Sequence, residues 1–295
     1  MSTDPVEVDE ELLRRWPLDG LADGEVGGSL LIVGGSRVTP GAVLLSAVAS
    51  LRAGAGKVQV LTARSAAATL AVAAPELLVK GAEETEDGEL HPSAADQALE
   101  LAEGVDVVLV GPGIMSPDAA VALCRPLLPA LRNRLVVDAL GLAYFAEADA
   151  ADRPLAGGRV VLTPNTGEVA LALDVPEDEL SDDPDAGASR LARRHRAVVT
   201  SGGATTWVAA PDGRTWRDQA GHPGMGASGS GDSKAGVLAA FFTRTDDPAQ
   251  AAVWGGCVHA LAGERAARRI GPVGYLAREV VDEVPAVLAQ LSARR

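Results

Sequence analysis

Short apolar runs alternate along this chain with amphipathic stretches. Ser29-Leu30-Leu31-Ile32-Val33 is unbroken apolar sequence up to Gly34-Gly35-Ser36, the pattern of a buried strand followed by a turn. Beyond Pro40, residues 41–53 bring Val43, Leu44, Val48 and Leu51 onto one helical face, Gly54-Ala55-Gly56 ends that helix, and residues 57–61 read as the next strand. Strand, helix and strand in this order make a unit with parallel strands. The alternation continues. Helices are expected over 65–73, 94–102, 117–131 and 187–194, and strands over 76–79, 105–110, 134–137, 159–162 and 197–200. Residues 83–88 and 176–185 read as acidic surface loops. Residues 206–210 and 215–217 flank Pro211-Asp212-Gly213 as a hairpin, and three helices close the chain over 232–243, 248–269 and 275–291. Before all this, residues 1–23 are polar around an apolar patch of Leu12, Leu13 and Trp16, a short helix or arm. No change of composition marks a linker, so residues 24–295 read as one α/β domain without repeats.

Glycines and polar residues recur just after the strands: Gly34-Gly35-Ser36, Gly111-Pro112-Gly113, Asp138, Asn165 and Ser201-Gly202-Gly203. In a parallel sheet the ligand crevice lies at the carboxyl ends of the strands. These segments therefore belong to one edge. Turn formation explains each glycine singly, but not their collection there.

The densest of these signals is Gly221 to Asp232, a glycine-rich loop running into a helix that carries Val237, Leu238, Phe241 and Phe242. The first amides of a helix lack internal partners and sit at the positive end of its dipole, so such a junction binds anions, phosphate above all. It is not the lysine-bearing phosphate loop: counted from Gly226, the lysine position holds Asp232. An aspartate there could take a proton from a hydroxyl or hold a metal, which suits phosphoryl transfer onto an alcohol. The competing reading makes Asp232 a helix N-cap. Likewise Glu168, in the first turn of a helix, is explained by the dipole alone.

Composition narrows the classes. The chain has 295 residues, 47% hydrophobic but only 3% aromatic, so its core rests on Ala, Val and Leu. A net charge of −14 argues against nucleic acid or an anionic membrane as partner. Cys124 and Cys257 stand alone in apolar helical patterns and read as buried free thiols. The acidic start lacks a signal-peptide core, and a reducing, cytoplasmic setting is the expectation. His91, His195, His222 and His259 show no metal-ligand spacing; His195 sits in a basic run and reads as solvated, whereas His222 lies in the glycine loop within reach of a ligand. Gly111-Pro112-Gly113-Ile114-Met115-Ser116 is a partial dinucleotide fingerprint, with Asp138 imitating the ribose-binding acid, but the proline and the absent third glycine count against it.

Taken in order, Leu31-Ile32-Val33-Gly34-Gly35-Ser36, Gly41-Ala42, Leu51 to Gly56, Pro75 to Val79, Gly111-Pro112-Gly113, Val136 to Ala139, Leu162-Thr163-Pro164 with Gly167-Glu168, Pro223-Gly224-Met225, Gly229-Ser230-Gly231-Asp232 and His259 to Gly263 resemble the ADP/ATP-dependent (S)-NAD(P)H-hydrate dehydratases, a carbohydrate-kinase-like branch of the ribokinase fold. The resemblance covers nearly the whole chain. It implies a three-layer sandwich, a mostly parallel sheet with helices on both faces. It also implies an activity: ADP or ATP, with Mg2+, phosphorylates the hydroxyl of hydrated NADH or NADPH, and phosphate elimination restores the double bond. By position Asp232 would be the base and would meet the substrate together with Ala42, Gly113 and Asn165. Gly229, Ser230 and Gly231 would hold the transferred phosphoryl, and Ser201, Gly202, Gly203, Ala204 and Thr205 the nucleotide. The partners expected are these small molecules and further copies of the chain in a homo-oligomer. Four positions depart from the family pattern: Asn165 replaces a histidine, Ser201 a lysine, Leu140 the second acid of Asp-Ala-Asp, and His222 an asparagine. A small-molecule kinase of the same fold and a non-catalytic nucleotide-binding relative remain the other readings.

Overall fold

The computed structural model describes residues 4–147, 155, 159–176, 179–180, 184–202 and 205–292. Its strands are β1 (Val6–Glu7), β2 (Ser29–Val33), β3 (Lys57–Ala63), β4 (Leu78–Ala82), β5 (Val107–Val110), β6 (Arg134–Val137), β7 (Val160–Leu162), β8 (Val198–Gly202), β9 (Thr206–Ala209) and β10 (Thr215–Asp218). The α-helices are α1 (Glu10–Arg15), α2 (Pro40–Arg52), α3 (Arg64–Ala73), α4 (Ala94–Ala102), α5 (Pro117–Leu127), α6 (Thr166–Leu173), α7 (Pro184–His195), α8 (Ser230–Phe242), α9 (Pro248–Ile270) and α10 (Ala277–Ser292).

All the strands join one sheet in the order β1-β10-β9-β8-β7-β6-β5-β2-β3-β4. From β4 to β8 every pairing is parallel; β8, β9 and β10 pair antiparallel, and β1 pairs parallel to β10. Because side chains alternate across a strand, Leu30 and Ile32 of β2 enter one core while Leu31 and Val33 enter the other. Helices α2, α8, α9 and α10 supply the first core, and α4, α5, α6 and α7 the second. The result is the mostly parallel, three-layer α/β architecture of the ribokinase-like fold.

The order reverses between β2 and β5, and here the chain opens a topological switch point. The loops that follow these two strands meet at it: Gly35 N donates to Pro112 O at 2.7 Å. Next to them α8 lies against α2 so closely that a side chain at Gly236 would run into the Ser46 carbonyl. Two buried hydroxyls of α2 fasten the pair, Ser46 Oγ to Asp232 O at 3.0 Å and Ser50 Oγ to Gly236 O at 2.9 Å. The head of α8 is thereby fixed over the strand ends.

Several boundaries move from those expected. The strand read over 76–79 forms at Leu78–Ala82, an edge strand paired only with β3; its outward positions are half-exposed and take Lys80, so apolar continuity misplaces it. The helix begun at Pro117 stops at Leu127, with Pro126 already inside its last turn. Strand β5 begins at Val107, and just before it the Asp106 carboxylate accepts from Ser29 N at 2.7 Å. The N-terminal segment contributes more than a helix: β1 extends the sheet, and Leu13 and Leu18 are buried in the first core. His195 is not solvated. It is 8% exposed, its ring meets Phe145 edge-on at 5.0 Å, and burial pulls its pKa down to about 4. Cys124 and Cys257 are buried free thiols, as their patterns predict.

Candidate active site

At the carboxyl ends of β6, β7 and β8, a cavity of about 790 Å³ opens between the sheet edge, the 221–227 loop, the head of α8 and one face of α9. The loop is anchored from α9, where Glu264 Oε1 accepts from Gly221 N at 3.1 Å. His222 caps the following 3-10 turn, Pro223–Met225, by accepting from Gly224 N at 3.1 Å.

Helix α8 begins from Gly229, whose φ of 86° is left-handed and whose missing side chain leaves room for Leu45. Of the first four amides, Ser230 N finds Ala227 O and Ser233 N finds Gly229 O. Those of Gly231 and Asp232 have no acceptor among the described residues. A Cβ on Gly231 would meet nothing within 4 Å. Two unspent amides thus face open space at the positive end of a helix, which fits a phosphoryl group. The cap position belongs to Gly229, so the N-cap explanation of Asp232 falls away. Asp232 lies in the first turn, and its carboxylate accepts no hydrogen bond from the described residues.

Three carboxyl groups share this space. Asp138, at the end of β6, is almost wholly buried and accepts from Thr163 Oγ1 at 2.5 Å; burial raises its pKa against the pull of that bond and of Lys234. Glu168 and Asn165 form a reciprocal cap on α6, with Asn165 Oδ1 taking Glu168 N at 2.9 Å and Glu168 Oε2 taking Asn165 N at 2.8 Å. Burial again raises the Glu168 pKa, and the Asp138 charge adds to it. Asp232 is pushed up to about 6, by burial first and then by the charges of Asp138 and Glu168. The helix dipole alone predicts an unraised carboxylate; desolvation and two like charges outweigh it. Asp232 stays mostly ionised at neutral pH, yet close enough to it to accept a proton usefully.

Lys234 and His259 complete the polar lining. Burial lowers the Lys234 pKa, opposed by Asp138 and Glu168, while burial and the Lys234 charge take His259 down to about 3. His259 is therefore a neutral ring in this wall, and its Nε2 has no hydrogen-bond partner among the described residues. Sequence reasoning passed over Lys234. Its signal was a cation two residues beyond Asp232 in a helix otherwise built for burial.

Of the residues singled out by sequence, Asn165, Gly202, Ser230, Gly231 and Asp232 line the cavity. Gly229 sits behind them as the cap, and Ser201 is buried one residue before Gly202. Ala42 and Gly113 are brought together elsewhere, at the switch point: a Cβ on Gly113 would lie 3.0 Å from that of Ala42. Asp232 connects the two regions, because Ser46 Oγ bonds both Asp232 O and, at 3.1 Å, Ala42 O. Thr205 follows the end of β8, and Gly203 and Ala204 lie outside the described residues.

The NAD(P)H-hydrate dehydratase family model matches residues 30–286. An ADP-dependent (S)-NAD(P)H-hydrate dehydratase of Xanthomonas campestris pv. campestris is 43% identical over 95% of this chain and 94% of its own length. The bifunctional NAD(P)H-hydrate repair enzyme of Moorella thermoacetica is 38% identical over 90% of this chain, which spans half of that longer protein. The ADP/ATP-dependent NAD(P)H-hydrate dehydratase of Bacillus subtilis, crystallised with ATP and Mg2+ and soaked with CoA, superposes with a TM-score of 0.83 at 25% identity, over 98% of this chain and all of the other. By the extent of the family match and the identity to relatives aligned along its length, the chain belongs to the NAD(P)H-hydrate dehydratase family.

Proposed function

We propose that this protein converts (S)-NAD(P)H hydrate back to NAD(P)H at the expense of ADP or ATP. The observation that carries the reading is the Asp232 carboxylate, without a partner among the described residues and adjacent to two amides at the head of α8 that likewise have none. Asp232 takes the proton of the substrate hydroxyl as its oxygen attacks the terminal phosphoryl of the nucleotide, whose phosphoanhydride bond breaks to release AMP from ADP or ADP from ATP. The Gly231 and Asp232 amides meet the charge that develops on the transferred group. The phosphate then leaves the ring and a ring proton is lost, restoring the double bond. Ala42 and Gly113, joined to Asp232 through Ser46, bring the hydrated ring to the base, and Asn165 flanks it from α6. The nucleotide enters along Gly202, Thr205, Ser230 and Gly231, with Ser201 and Gly229 behind them; Gly203 and Ala204, expected to touch it too, lie outside the described residues.

Mg2+ bound with the nucleotide would supply further charge neutralisation on the phosphates. Among the described residues no group of three His, Cys, Asp or Glu side chains could hold a metal ion. We assign the activity to residues 24–295, with residues 1–23 as an arm, working as a cytoplasmic homo-oligomer. No helix among the described residues is long and apolar enough to cross a membrane.

The test is recovery of NADH absorbance from hydrated NADH with Mg2+ and either nucleotide. Turnover with one or both is expected. If the purified protein gives none with ADP and none with ATP, the dehydratase reading fails and a kinase of the same fold takes its place.

A further inference from the structure

We infer that Lys234 is the cation that receives the nucleotide's phosphates, reaching from α8 to the carboxyl end of β8. This rests on the nucleotide-dependent reading above. Among the described residues that line the cavity, Lys234 is the only lysine or arginine. Its Nζ lies 3.3 Å from where a Cβ on Gly202 would stand, so the ammonium sits against the end of β8.

The side chain makes no hydrogen bond or ion pair with any described residue, although Asp138 and Glu168 are near enough to act on it by their charge. Lys234 is half-buried, and its ammonium, without a partner among the described residues, is left to meet an anion that enters the cavity. Three carboxyl groups otherwise face the cavity and repel a polyphosphate. One cation in the same lining is what lets phosphate approach the amides of Gly231 and Asp232. Ser201, buried and uncharged, cannot serve in that way.

The experiment is titration calorimetry with ADP and with adenosine, on the wild type, Lys234→Met and Lys234→Arg. Loss of one charge-assisted contact weakens binding roughly ten- to a hundred-fold. Lys234→Met should lose that much for ADP and less than about threefold for adenosine, which has no phosphate. Its ADP affinity should also depend less steeply on salt. Lys234→Arg keeps the charge and should retain most of the affinity. Unchanged ADP affinity in Lys234→Met, or equal losses for ADP and adenosine, overturns the assignment. A Lys234→Arg variant that binds ADP no better than Lys234→Met overturns it as well. A wild type that binds ADP but dehydrates no substrate sinks the proposed function and leaves the role of Lys234 intact.

Discussion

Ser46 and Asp232 are 186 residues apart in the chain, and the hydroxyl of the first donates to the backbone carbonyl of the second at 3.0 Å. The bond ties the switch-point helix α2 to the turn that carries the candidate base. Its effect is positional, since it touches the backbone of Asp232 and leaves the carboxylate free for the cavity. Ser46→Ala should cost about 1 kcal/mol of stability, the usual worth of such a bond. Gly236→Ala should cost more, about 1–3 kcal/mol, because the added methyl has the Ser46 carbonyl in its way and the two helices must part. Chemical denaturation ranks the variants. If Gly236→Ala is as stable as wild type, the close approach of α2 and α8 is wrong.

Gly231 and Gly229 should respond oppositely to substitution. A side chain at Gly231 enters open space, so Gly231→Val should fold normally and obstruct the phosphate site. Gly229→Ala meets both a left-handed backbone and Leu45, and should destabilise the fold by about 1 kcal/mol or more. Calorimetry with ADP and ATP, paired with thermal melting, separates the two effects. Equal nucleotide affinity in wild type and Gly231→Val would remove the phosphate from this helix.

The sheet was legible in sequence because parallel strands buried on both faces must be continuously apolar, as Leu30 to Val33 and Val107 to Val110 are. Edges were less legible: β4 alternates with solvent, and β1 contributes two residues whose partner, β10, lies some two hundred positions away. The glycine loop announced the anion site through local chemistry. The carboxyl cluster did not announce itself, since Asp138, Glu168 and Asp232 come from three separate strand and helix ends and only the fold's edge unites them. For the same reason Glu168 read as a helix cap. It is one, through Asn165, and it also charges the cavity.

The N-terminal segment should matter to stability. Trp16 stacks on Trp216 of β10 with ring centroids 5.8 Å apart, and its carbonyl accepts from Trp254 Nε1 at 2.7 Å and from Gln250 Nε2 at 3.0 Å. Trp16→Ala keeps the carbonyl but opens the stack over the sheet edge, at a cost of about 3 kcal/mol. Thermal melting should show a clear drop, with nucleotide affinity measured well below the midpoint unchanged. A variant as stable as wild type would show that the segment only rests on the domain.

Asp232 should trade stability for activity, and pH exposes the trade. Its folded pKa of about 6 lies above the ordinary 3.8. Between those values the folded chain holds a proton that the unfolded chain has released, so this group's contribution to stability is fully present below about pH 4 and lost as pH rises through 6. Asp232→Asn carries no charge to desolvate and no like charge to face Asp138 and Glu168. It should therefore melt above the wild type at about pH 8 and no higher than it near pH 4, provided both are measured without ligand. Catalysis moves the other way. The base must be ionised, so kcat/KM should climb with pH to a level reached above about 6, and Asp232→Asn should lose about a hundred- to ten-thousand-fold in turnover while still binding nucleotide. Asp138→Asn removes the charge that helps to raise Asp232, and should move the acid limb to lower pH. A variant with Asn at 232 that is both less stable at about pH 8 and fully active would leave Asp232 as a structural residue, and the proton acceptor would have to be sought among the other groups of the cavity.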